Sequence, residues 1–135
     1  MIYEQMKAKL DSERPKRVFR DEEHKLQKLC VRWFRMQYPF LRSLLFAVPN
    51  GGRRDELTGA KLKDEGATPG VSDLILLKSN KKYSTLCIEM KTKVGRQSES
   101  QRNWQKEVER AGNKYVVCRS IEEFIEVVND YLAEK

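Results

Sequence analysis

Two apolar segments joined by one polar turn constrain this chain most. Residues 73–77 (DLILL) form an unbroken apolar run behind a single acid, the pattern of a strand covered on both faces. Residues 85–91 alternate instead. Leu86, Ile88 and Met90 point one way, and Thr85, Cys87, Glu89 and Lys91 the other. Ser79-Asn80-Lys81-Lys82 supplies the turn between them. The two segments therefore predict a hairpin at the centre of a sheet. If its turn is centred near Lys81, Asp73 stands directly opposite Glu89, with both side chains on one face about 5 Å apart. Lys91, two residues further on, joins that face.

The remaining elements assemble around this hairpin. Residues 21–37 predict a helix, because Leu26, Leu29, Cys30, Trp33 and Phe34 recur at helical spacing. Asp21 is its expected N-cap and Pro39 its stop. Residues 44–48 suit a strand, and Pro49-Asn50-Gly51-Gly52 is a turn signal. Residues 58–65 read as helical or irregular, closed by Gly66. Thr68-Pro69-Gly70 is a further break. Residues 98–111 predict a second helix ending at Gly112, residues 115–118 a strand, and residues 120–132 a last helix. That last helix opens with the capping box Ser120-x-x-Glu123 and carries Ile121, Phe124, Ile125, Val128 and Leu132 on one face. The order helix, strand, strand, strand, helix, strand, helix describes an α/β domain, a small mixed sheet flanked by helices. At 135 residues the chain fits one domain over residues 21–135, preceded by a basic arm over residues 1–20. Lys16, Arg17 and Arg20 in that arm suit either phosphate contacts or a solvated tail.

Charge and side-chain chemistry narrow the function. Lys and Arg number 27 against 20 Asp and Glu, a formal charge of +7 that favours a polyanionic partner such as nucleic acid. One histidine and three scattered cysteines exclude the usual zinc-ligand spacings and a disulfide framework, and they suit a reducing compartment. The uncharged stretch at residues 43–52 is too short to span a bilayer, and the N-terminus lacks an apolar signal core. A cytoplasmic protein with no membrane partner is expected.

Asp73, Glu89 and Lys91 carry the chemistry. Two carboxylates this close repel unless a cation lies between them, and an all-oxygen donor set suits a hard divalent cation such as Mg²⁺ or Mn²⁺. A plain reading also fits: strand ends often carry charges, and Glu89 with Lys91 could form a solvent-facing pair. The Gly70-Val71-Ser72-Asp73 lead into the apolar strand favours function, since side chains emerging from a turn are common site residues.

Gly70-x-x-Asp73 followed by Glu89-Met90-Lys91 resembles the PD-(D/E)xK nuclease signature. With Glu23, Asn50-Gly51-Gly52, Asp73-Leu74 and Gln101-Arg102-Asn103-Trp104 in order, the chain resembles the VRR-NUC branch, the virus-type replication-repair nucleases. The resemblance spans roughly residues 21–130. It departs at Ser72, where that branch usually has proline, a minor loss of turn rigidity.

The resemblance implies a restriction-endonuclease-like core and a set of roles. Asp73 and Glu89 match the metal-binding acids, with the Met90 carbonyl as a further ligand. Lys91 matches the lysine that orients or activates the attacking water and offsets phosphate charge. Glu23 matches an acid of the first helix that reaches the metal; it is preferred over Glu22 because it shares a face with Gln27. Gln101 matches the branch's glutamine, although Ser98-x-x-Gln101 is also a capping box. Asn50, Gly51, Gly52, Arg53 and Arg54 form either a DNA-contacting loop or a plain turn. Lys61, Lys63, Lys93 and Arg96 are weaker phosphate candidates. Trp104 is expected in the core, and His24 at the periphery.

Together these imply a Mg²⁺- or Mn²⁺-dependent DNA endonuclease acting in repair or phage DNA processing. Basic residues would hold DNA in a salt-sensitive way that is largely independent of sequence. Stand-alone members of the branch come largely from phages and bacteria. Some act as homodimers on Holliday junctions, whose paired strands suit two-fold symmetry. The alternatives are a catalytically silent DNA-binding module on the same fold, a flap- or restriction-type nuclease, and a basic adaptor.

Overall fold

The computed structural model describes residues 16–49 and 56–134. Its elements are helix α1 (Lys16–Gln37), a 3-10 turn (Pro39–Leu44), strand β1 (Leu45–Ala47) and helix α2 (Glu56–Asp64). Strands β2 (Leu74–Leu76) and β3 (Leu86–Met90), helix α3 (Glu99–Arg110), strand β4 (Lys114–Cys118) and helix α4 (Ile121–Ala133) follow. The strands form one mixed sheet in the order β1-β2-β3-β4. β1, β2 and β3 run antiparallel, and β4 lies parallel to β3. The parallel pair needs a crossover, and α3 provides it.

The two faces of the sheet do different work. Leu74 pairs with Ile88 and Leu76 with Leu86, so these four side chains share one face. That face carries the core, together with Leu45, Met90 and Cys118. Cys30 and Phe34 of α1, and Phe124, Val128 and Tyr131 of α4, close over it. Cys87 pairs with Tyr115 on the opposite face, where Trp104 of α3 meets the Tyr115 ring edge-on at 6.1 Å. With helices on both sides, every residue of β3 is buried, although its sequence alternates.

Several sequence expectations shift. α1 spans Lys16–Gln37, so Asp21 lies inside the helix and is not its N-cap. Lys16 to Arg20, assigned to the arm, are helical because lysine and arginine are good helix formers. The rest of the arm, residues 1–15, lies outside the described residues. Leu29 is 51% exposed, at the margin of the α1 stripe. Residues 58–65, left between helix and irregular chain, fall largely within α2. Trp104 is half-buried on the α3 face and does not enter the main core. At the last helix, the Ser120 hydroxyl accepts the Glu123 N–H at 3.2 Å. The Glu123 carboxylate accepts the N–H of Arg119 at 2.7 Å, one residue earlier than a full capping box requires.

All three cysteines are free and buried. Burial pushes the Cys30 and Cys118 thiols up to about 12 and Cys87 up to about 11, so they behave as small apolar core groups. Among the described residues, no helix is long and apolar enough to cross a membrane.

Candidate active site at the end of the central hairpin

The β2–β3 register pairs Leu74 with Ile88, and one step further sets Asp73 opposite Glu89. Asp73 leaves the ladder there. Its carbonyl accepts the Val48 N–H at 2.8 Å, and its carboxylate accepts the Met90 N–H at 2.7 Å. The carboxylate is thereby fixed against the end of β3.

The chain reaches Asp73 through a turn that only glycine allows. Gly70 has φ +85°, and a Cβ there would stand 2.2 Å from the Ser100 carbonyl oxygen and 2.8 Å from the Gln101 nitrogen. The glycine lets the segment before Asp73 press directly on the first turn of α3. Ser72, where the chain departs from the branch's usual proline, is fully buried, and its hydroxyl donates to the Leu74 carbonyl at 3.1 Å. Serine thus replaces the rigidity of a ring with a local hydrogen bond.

Glu89 is 2% exposed. Gln101 donates to its Oε1 at 3.0 Å, and the Tyr115 hydroxyl lies 3.5 Å from its Oε2. The Lys91 ammonium is 3.9 Å from Oε1, and its side chain is only 12% exposed. Lys91 is held in turn by its N–H bond to the Cys118 carbonyl at 3.0 Å. A solvent-facing Glu89–Lys91 pair is therefore not what the fold contains.

Gln101 combines both of its sequence readings. Its Oε1 accepts the Ser98 N–H at 2.8 Å and its N–H bonds the Ser98 hydroxyl at 3.2 Å, completing the capping box. Its amide nitrogen remains free to reach Glu89. The cap orients the donor, so one side chain both starts α3 and neutralises a buried acceptor.

Electrostatics bind Glu23 to this cluster. Burial raises the Glu23 carboxyl above its ordinary value, Lys91 opposes the rise and Asp73 adds to it. The Thr92 backbone also hydrogen-bonds to it. For Glu89 the rise is larger. Burial comes first, then the charge of Asp73 and a hydrogen bond shared with it, and Lys91 offsets only part. Glu89 is pushed up to about 9, so at neutral pH it keeps its proton beside Asp73. Burial and the neighbouring Glu89 also keep the Tyr115 hydroxyl protonated, and therefore a donor.

A hard divalent cation suits this donor set. Asp73 and Glu89 would hold it through carboxylate oxygens, the donors such a cation prefers. Among the described residues, no three His, Cys, Asp or Glu side chains form a ready metal cage. The arrangement instead fits a cation held chiefly by Asp73 and Glu89, with Glu23, the backbone and solvent left to complete its shell.

The other sequence candidates are more dispersed. Asn50, Gly51, Gly52, Arg53 and Arg54 lie outside the described residues. Lys61 and Lys63 are exposed in the last turn of α2. Lys93 and Arg96 are exposed in the loop after β3. His24 is exposed beside Glu23 on α1.

Sequence reasoning missed Tyr115 and Arg119. The Arg119 guanidinium donates to the carbonyls of Thr92 at 2.7 Å and Gly95 at 2.6 Å, fixing the loop after Lys91. Neither has a local sequence signal, because both reach the site only through the parallel β3–β4 pairing.

Comparison with known proteins bears on the family and the fold. A model of the VRR-NUC domain matches residues 11–122. A solved structure described as a VRR_NUC domain protein superposes with a TM-score of 0.73. It is 23% identical, with 83% of this chain and 88% of that chain covered, and it establishes the restriction-endonuclease-like α/β fold. No curated protein matches. With most of its length accounted for by the family model, the chain belongs to the VRR-NUC family of nuclease domains.

Proposed function

We propose that this protein is a divalent-metal-dependent deoxyribonuclease that hydrolyses phosphodiester bonds at the end of the β2–β3 hairpin. The observation that carries the reading is the buried Glu89 facing Asp73, with Lys91 3.9 Å away and Gln101 at 3.0 Å. A purely structural role does not call for two acids in that position.

Asp73 and Glu89 would hold Mg²⁺ or Mn²⁺, with the Met90 carbonyl and Glu23 completing the protein ligands. When bound, the cation polarises the scissile phosphate and favours ionisation of the attacking water. Lys91 supplies a fixed positive charge that orients that water and offsets charge developing on phosphate. Gln101 and Tyr115 hold the Glu89 carboxylate so that it does not turn away. Thr92, clamped by Arg119, orients Glu23. Asn50 to Arg54 and Lys61, Lys63, Lys93 and Arg96 would contact DNA phosphates, giving salt-sensitive binding with little sequence preference. The preferred substrate is branched DNA, cut by a homodimer whose two-fold axis matches a four-way junction.

The test is cleavage of 5′-labelled linear, flap, splayed-arm and four-way-junction DNA in Mg²⁺, Mn²⁺ or EDTA. Metal-dependent cutting that Asp73→Ala abolishes is expected, with the junction cut best. Binding without cutting in any metal would make the domain a silent DNA-binding module.

A further inference from the structure

An open groove of about 380 Å³ runs along α1 outside the hairpin site. Among the described residues, it is lined by His24, Gln27, Lys28, Val31, Arg32 and Arg35. These positions follow i, i+3, i+4, i+7, i+8 and i+11, so they form one continuous helical face. His24 directly follows Glu23, and Gln27 lies one turn beyond Glu23. The N-terminal end of this face thus adjoins Glu23, whose carboxyl feels the charges of Lys91 and Asp73.

Its chemistry is cationic. Lys28, Arg32 and Arg35 are exposed. None of the three makes an ion pair or side-chain hydrogen bond with another described residue. Unpaired like charges one turn apart repel one another, which an anionic ligand would relieve. From His24 to Arg35 the face rises about 16 Å, the axial length of about five nucleotide steps. Val31, between these cations, is partly buried against the core.

We propose that this face of α1 is a backbone track for a nucleic-acid strand, in which Lys28, Arg32 and Arg35 take successive phosphates leading to or from the hairpin site. The inference rests on reading that site as a nuclease centre. It adds a binding surface outside the Asn50–Arg54 loop and the Lys61, Lys63, Lys93 and Arg96 set.

The test is binding of a labelled DNA duplex by the full chain in EDTA, measured by fluorescence anisotropy across about 50–200 mM salt. Lys28→Ala/Arg32→Ala/Arg35→Ala is compared with Lys78→Ala/Lys81→Ala/Lys82→Ala, which removes the same charge at the far end of the hairpin. At about 0.9 per phosphate, the α1 variant should lower the log–log salt slope by two to three and weaken binding on the order of 100-fold near 0.1 M salt. The control should change the slope by less than one. A native slope in the α1 variant, or an equal drop in the control, overturns the track. Because binding is read without metal, cutting is scored separately. A native protein that never cuts refutes the nuclease reading, and the slope still decides the track.

Discussion

Replacing Glu89 by glutamine should stabilise the metal-free protein at neutral pH, although it removes a buried acid from the centre of the proposed site. Glu89 ordinarily titrates at 4.5 and in the fold is pushed up to about 9, chiefly by burial and next by Asp73. In the unfolded chain the proton leaves near the ordinary value, while the folded protein keeps it. Over that interval the unfolded state binds fewer protons, so stability is full below pH 4.5 and is lost as pH rises towards 9. Between pH 5 and pH 7 the loss from this one group is about 2–3 kcal/mol. Glutamine has no proton to lose and keeps an oxygen for the Gln101 amide. Glu89→Gln should therefore match the native protein near pH 5 and exceed it by about 2–3 kcal/mol at pH 7, on the order of 10 °C in Tm. Urea denaturation in EDTA at the two pH values measures this, and the difference between proteins cancels other titrating groups. A stability difference that is the same at both pH values, or a glutamine variant weaker at pH 7, would refute the reasoning. Saturating Mn²⁺ should then favour the native protein, because only the native pair can exchange its proton for the cation.

Other substitutions probe the supports of the site. Gly70→Ala forces a Cβ to 2.2 Å from the Ser100 oxygen at φ +85°, and should cost at least about 2 kcal/mol in chemical denaturation and sharply reduce cleavage. Gln101→Ala removes both the Ser98 cap bond and the donor to Glu89; a loss of about 1–3 kcal/mol is expected from thermal melts. Arg119→Ala frees the Thr92 and Gly95 carbonyls, and hydrogen exchange should show faster exchange at the Gly95 amide, with global stability less affected.

The parts of the site legible in the sequence are those fixed by short-range periodicity. The period of two in β3 and the length of the turn set Asp73 against Glu89, and the register agrees. The Ser98-x-x-Gln101 spacing announced a cap, and the cap is there. What was not legible depends on contacts distant in sequence. Tyr115 reaches Glu89 across 26 residues, and Arg119 reaches Thr92 across 27, both through a parallel pairing whose register no local pattern encodes. The burial of Lys91 was likewise unreadable, since a Glu-x-Lys strand end looks the same in solvent. Asp21 misled because an acid suits both an N-cap and an exposed helix interior, and only the preceding turn distinguishes them. The cationic face of α1 was visible as spacing. It was overshadowed by the apolar stripe on the same helix.

The central claim is that the buried carboxylate pair is built to hold a hard divalent cation. The most direct measurement is calorimetric titration of Mn²⁺ into the metal-free protein at pH 7, in buffers of different ionisation enthalpy. The account predicts saturable binding with close to one proton released per cation bound in the Asp73–Glu89 pair, and loss of both in Asp73→Asn. Binding without proton release, or binding unchanged in Asp73→Asn, would contradict it.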